Sequence, residues 1–125
     1  MSRLSNFDTA SLTALHWAAF ALAITSGVIH LVLIVAWDIP PTSTFGILFF
    51  LAFGGYLGGV ALVAINYRRK LLYILGVPYT GSQIVMWYLA NQPAGVADIS
   101  VFEWIDKIAQ LLLLVVLVML YLEED

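Results

Sequence analysis

Four long runs of apolar residues divide the chain, at about residues 12–37, 44–66, 71–90 and 99–122. Each is close to the roughly 20 residues that a helix needs to cross about 30 Å of hydrocarbon. The runs are too long for strands and do not alternate polar with apolar positions. Pro40-Pro41 closes the first connection, and Asn91-Gln92-Pro93-Ala94-Gly95 closes the third. The second connection, Asn66-Tyr67-Arg68-Arg69-Lys70, is so short that spans two and three are expected to form an antiparallel hairpin. The pattern predicts an all-α fold. It is a single four-helix transmembrane bundle, up-down-up-down, with spans adjacent in the chain packed as neighbours.

Composition narrows the class further. The 125 residues are 62% hydrophobic and 10% charged, without cysteine, and mean hydropathy is +0.98. Soluble domains run near about 45–50% apolar and about 25% charged. A soluble enzyme, a disordered tail and a disulfide-stapled secreted module are therefore excluded. Five Lys and Arg residues cannot neutralise many phosphates, so nucleic acid is not an expected partner. The lipid bilayer is.

Charge gives the orientation. Arg3 precedes span one, and Arg68, Arg69 and Lys70 separate spans two and three. The opposite face has Lys107 beside Asp98, Glu103 and Asp106. Both termini and the basic loop are thus expected on the cytoplasmic side of the cell membrane. Tyr67, Tyr73 and Tyr121 would form an inner aromatic belt, and Trp37, Trp87, Tyr88 and Trp104 an outer one. Span one is too long for the core of a signal peptide, carries two histidines and has Asp8 in its flank. In span four an apolar stretch from Ile108 to Leu122 is about 22 Å long, which places Asp106 and Lys107 at the outer boundary. A solvated helix start with a Glu103–Lys107 pair is expected there, with proton or cation access as the weaker alternative.

Polar residues inside spans are expensive in hydrocarbon and mark either helix packing or function. His16 and His30 lie about 21 Å apart along span one and differ by about 40° in direction, on one stripe with Phe20, Ala23 and Gly27. Each imidazole can simply hydrogen-bond a neighbouring helix. The alternative is ligation of haem iron. Span one resembles the ligand helices of membrane cytochromes b, and that resemblance implies a two-fold homodimer. His16 would face His16, His30 would face His30, and Gly27 and Ala23 would leave room for haem b.

Span two carries two overlapping GxxxG pairs, Gly54 with Gly58 and Gly55 with Gly59. They are expected to seat a neighbouring helix, as is the Ala23–Gly27 pair. A flat surface for a planar cofactor is the functional alternative. Span three is polar in its middle, where Pro78 is expected to kink the helix and Tyr79, Thr80, Ser82 and Gln83 cluster with Tyr56 of span two. These groups either satisfy a kinked helix or line a mid-membrane pocket.

Several classes are missing their signatures. The sequence contains neither a nucleophile-base motif nor a phosphate-binding glycine loop. Span one has no carboxylate, against the pattern of small multidrug transporters. Taken whole, the chain resembles small uncharacterised four-helix membrane proteins of halophilic archaea. The segments that carry the likeness are Leu15-His16-Trp17, Gly27-Val28-Ile29-His30-Leu31, Asn66-Tyr67-Arg68-Arg69, Val77-Pro78-Tyr79-Thr80 and Asp106-Lys107-Ile108-Ala109-Gln110. The resemblance implies a multi-pass protein of a prokaryotic plasma membrane and transfers no catalytic residues.

The leading expectation is a non-enzymatic accessory or assembly component of the cell membrane, acting as a homodimer or within a larger membrane complex. One alternative is a homodimeric bis-histidine b-type cytochrome carrying electrons across the membrane. The other is a quinone or lipid-soluble ligand bound near Tyr56, Tyr79 and Gln83.

Overall fold

A computed structural model describes residues 9–124. Arg3, Asp8 and Asp125 lie outside the described residues. The fold is all-α, with four long helices: α1 (Ala14–Ala36), α2 (Thr44–Ala64), α3 (Arg69–Asn91) and α4 (Val101–Glu123). Short 3-10 turns at Thr9–Ser11 and Val96–Asp98 precede α1 and α4.

Local chemistry explains the helix ends. Ser43 caps α2 by accepting a hydrogen bond from the Gly46 N–H at 3.1 Å. Ser100 and Glu103 form a reciprocal capping box at the start of α4, with bonds of 2.9 and 3.2 Å. Between α2 and α3 the chain reverses through Asn66 and Arg68, both left-handed at φ 59° and 46°. Two such residues close together make a tight reversal without glycine. Helix α3 continues through Pro78.

Helices α1, α2 and α4 are long and apolar enough to cross a membrane. Helix α3 falls short of that measure because of the polar stretch after Pro78. Polarity is inverted relative to a soluble bundle. On α4, Val115 is 58% exposed while Gln110 is completely buried. Ser26 of α1 and Thr80 of α3 are completely buried too. An apolar exterior around a polar interior is what a hydrocarbon solvent selects.

Helix α1 is the central element. It packs extensively on both α2 and α4, and α4 packs in turn on α3. Helices α2 and α3 touch at few places, so they are splayed, against the expectation that spans adjacent in the chain pack as neighbours. Ala19, Ala23 and Gly27 line the buried side of α1. A Cβ on Gly27 would lie 3.4 Å from Tyr56 Cβ and 3.5 Å from the Phe53 carbonyl, so glycine lets α1 and α2 approach closely. The apolar core joins Phe20, Tyr56, Val63, Tyr73, Leu113, Leu117 and Leu120.

Two residues expected near the boundaries are covered by neighbouring parts of the bundle. Tyr73 is 1% exposed and belongs to the core. Arg69 is buried as well, its Nε donating to the Val63 carbonyl at 2.8 Å and its Nη1 to Ser11 Oγ at 2.6 Å. Arg68 and Lys70 remain exposed, each stacked by an aromatic ring, Tyr67 and Tyr121 respectively.

Candidate functional site

The polar side chains of α4 occupy one stripe. Glu103, Asp106, Lys107 and Gln110 follow helical i, i+3, i+4, i+7 spacing, and all four are buried. The stripe faces α1 and α3 rather than solvent, which overturns the expectation of a solvated helix start. Asp106 is 2% exposed and Lys107 8%.

Asp106 and Lys107 compensate each other. Lys107 Nζ lies 2.9 Å from Asp106 Oδ2 and donates to Gln110 Oε1 at 2.8 Å. Glu103 serves the cap, so Lys107 pairs with Asp106 instead of the expected Glu103. Ser26 donates to Asp106 Oδ1 at 2.5 Å, joining α1 to α4. Gln110 Nε2 reaches Gln83 Oε1 at 2.9 Å and Tyr56 OH at 3.3 Å, and Tyr56 donates to Thr80 Oγ1 at 3.0 Å. One continuous network thus ties all four helices together. A buried ion pair is tolerable only when its remaining valences are met in this way.

The network borders a cavity of about 650 Å³ between α2 and α3. His30, Asp106, Lys107 and Gln83 supply its polar wall, while Phe45, Phe49, Trp37 and Met86 supply apolar surface. That volume lies within the range of about 300–1,000 Å³ that holds small organic ligands. A second cavity of about 530 Å³ continues between the same two helices, lined by Phe20, Gly58, Gly59, Val60 and Leu72. Tyr79 borders both. Its hydroxyl donates to the Leu51 carbonyl at 2.7 Å, and its ring meets Tyr56 edge-on at 5.2 Å.

The two histidines differ. The Thr13 backbone N–H donates to His16 Nδ1 at 3.0 Å, so Nδ1 is the acceptor and Nε2–H donates to Tyr73 OH at 3.1 Å. His30 Nδ1 donates to the Ser26 carbonyl at 2.7 Å, so its Nε2 carries the lone pair. Its ring stands edge-on to Phe49 at 5.1 Å and its Nδ1 lies 3.8 Å from Asp106. Both imidazoles are buried inside one bundle, in separate helix contacts, rather than along an outward seam. Gly27, expected to leave room for a porphyrin, is covered by Phe53 and Tyr56. Haem binding and electron transfer therefore gain no support.

The structure brings Tyr56, Tyr79, Thr80 and Gln83 together. Ser82 lines the cavity wall while its hydroxyl bonds the Tyr79 carbonyl of its own helix at 3.0 Å. The glycine face of α2 needs correction within this chain. A side chain on Gly54, Gly58 or Gly59 would meet nothing within 4 Å, so none of them seats a helix of this bundle. Gly55 has a close neighbour, the Tyr79 hydroxyl, which lies where its Cβ would be. The splaying of α2 from α3 explains the open space at Gly58 and Gly59, which line the second cavity.

Sequence reasoning missed Ser26, Asp106, Lys107, Gln110 and Trp87 as members of the site. A signal was present. The α4 polar stripe continues directly into Leu113, Leu117 and Leu120, the buried face of the same helix. Ser26 stands four residues before His30.

Fold and site together define an all-α bundle with an apolar exterior, a buried charged network and a flanking cavity. The chain belongs to the family of unknown function DUF7475, whose model matches residues 3–121. No curated protein and no solved structure matches it.

Proposed function

We propose that this chain is a four-pass protein of the cell membrane that binds a lipid-soluble molecule with a polar head between α2 and α3. The observation that carries this is the 650 Å³ cavity, lined by His30, Asp106, Lys107 and Gln83 together with aromatic side chains. An apolar pocket with a few convergent polar groups is the usual form of a small-molecule site. Polar groups at membrane depth are otherwise expensive.

Contact registers favour the up-down-up-down topology. Ser11, Val63, Arg69 and Tyr121 gather toward one end, through the bonds of Arg69 and the stacking of Lys70 on Tyr121. His30, Phe49, Trp87 and Lys107 gather toward the other. Helix α3 serves as the fourth crossing: its 23 residues extend about 35 Å, and Thr80 and Gln83 turn into the bundle rather than toward lipid. Arg68, Arg69 and Lys70 favour a cytoplasmic loop, with both termini on that side.

Native mass spectrometry of protein extracted gently from membranes tests the ligand. A co-purifying lipophile of defined mass, displaced by an added alkylated benzoquinone, is the expected result. Protein that carries only heterogeneous bilayer lipid, and binds no added lipophile saturably, would refute it.

Self-assembly is a second reading, favoured by the open space over Gly54 and Gly58 on α2. A second copy or a larger complex can approach such a face closely. Gly58→Leu would then weaken association in detergent, whereas an unchanged monomer before and after substitution counts against it.

A further inference from the structure

We infer that the ligand's head is a protonated amine, an ammonium with N–H bonds on an apolar body, recognised by the free nitrogen of His30 and the carboxylate of Glu103. This deepens the ligand proposal and rests on it.

His30 supplies the first observation. It is 6% exposed and lines the cavity, and its Nδ1–H is spent on the Ser26 carbonyl. Nε2 therefore holds a lone pair, and no hydrogen bond reaches it among the described residues. The buried side-chain atoms sealed off without a partner are Arg69 Nη2 and Trp87 Nε1. His30 Nε2 is not one of them, so it stays accessible on a residue that lines the cavity. An acceptor kept open inside a bundle calls for a donor from outside the chain, since most buried polar atoms find a partner.

Charge supplies the second observation. Asp38, Glu103 and Asp106 line the cavity, against Lys107 as the one lysine or arginine there. Asp106 already offsets Lys107 at 2.9 Å, which leaves Glu103 and Asp38 in surplus. Glu103 is 7% exposed and its Oε2 accepts from the Ser100 N–H, while no basic side chain pairs with it among the described residues. Asp38, exposed beyond the end of α1, adds to the negative potential. Trp37, Phe45 and Phe49 contribute ring faces, which attract cations.

These features discriminate among heads. A carboxylate head meets surplus negative charge. A neutral carbonyl can use the spare N–H of Lys107 or Gln83 and leaves His30 Nε2 and Glu103 unanswered. A hydroxyl answers His30 but not the charge. An ammonium answers both.

The test uses the full chain in detergent near neutral pH, where benzylamines are protonated. Isothermal titration compares four probes of similar shape: decylbenzylamine, its trimethylammonium analogue, decylbenzyl alcohol and decyl-benzoquinone. The amine should bind most tightly, about 10-fold above the alcohol and the quinone, because it alone combines charge with N–H bonds. Glu103→Gln, which keeps an acceptor for the cap, should weaken both cationic probes about 5- to 10-fold and leave the alcohol unchanged. His30→Phe should weaken the amine and the alcohol about 3- to 10-fold and leave the trimethylammonium probe unchanged. Equal losses for all probes in both variants would show that these residues only shape the cavity, and overturn the inference. Tighter binding of the alcohol or the quinone than of the amine to wild-type protein, a comparison that needs no variant, would overturn it too while leaving the ligand site standing. Failure of every probe to bind saturably would refute the ligand proposal and this inference with it.

Discussion

His16 and His30 occupy the same buried stripe of one helix, yet their surroundings make them different residues. At one end, His16 is fastened on both ring nitrogens, by the Thr13 N–H and by Tyr73 OH. It sits where α1 closes on an apolar core. At the other end, His30 spends Nδ1 on the carbonyl of its own helix and presents a cavity wall shared with Asp106 and Lys107. Helix and residue type do not separate the two. What separates them is what they face, the Tyr73 hydroxyl for His16 and the Asp106–Lys107 pair for His30.

The largest expected effect tests the charged end. Asp106→Ala leaves Lys107 buried without its counter-charge and should destabilise the protein by about 3–5 kcal/mol, read from unfolding in mild detergent. Adding Lys107→Met to that variant should recover much of the loss, because an apolar pair leaves no bare charge. A loss below about 1 kcal/mol for Asp106→Ala would mean that the pair is solvated.

Next comes the contact that holds α2 to α3. Gly55→Leu drives a side chain into the Tyr79 hydroxyl and should lower stability by about 1–3 kcal/mol. Gly58→Leu, with open space around it, should leave the stability of the single chain unchanged. Equal effects would show that α2 and α3 pack along their whole length.

The histidines themselves give a smaller and more discriminating result. His16→Ala should lower stability by about 1–2 kcal/mol through the lost Tyr73 bond and leave ligand binding intact. His30→Ala should weaken binding more than it weakens the fold, since its one hydrogen bond stays within α1. Reversal of these two patterns would exchange the roles assigned to the two ends. Smallest of all, Ser82→Ala should change stability by less than about 0.5 kcal/mol, because its hydroxyl is exposed and bonds its own helix.

Much of this bundle was legible in the sequence. Apolar runs at 12–37, 44–66, 71–90 and 99–122 correspond to Ala14–Ala36, Thr44–Ala64, Arg69–Asn91 and Val101–Glu123. The grouping of Tyr56, Tyr79, Thr80 and Gln83 was visible because polar residues stand out in an apolar run. Asp106 and Lys107 were harder to place, and the reason is physical. Charges near the end of a span ordinarily reach the headgroups, and the apolar stretch that follows them was measured as a length rather than as a helical face. Read at 3.6-residue spacing, Glu103, Asp106, Lys107 and Gln110 share a face with Leu113, Leu117 and Leu120, so they had to turn inward with them. The splay of α2 from α3 was not legible. It depends on how closely α1 approaches both α2 and α4, a property of the assembled bundle rather than of any one segment.

The most direct test of a ligand site between α2 and α3 is to fill the cavity and watch binding disappear. Ser82 lines it from an exposed position, so Ser82→Trp occupies the space without disturbing the core. Titration of wild-type protein with decyl-benzoquinone should saturate at one site, Gly54→Leu, at a position that lines neither cavity, should bind equally well, and Ser82→Trp should bind no more than detergent alone. Indistinguishable, non-saturating uptake by all three proteins would contradict the account.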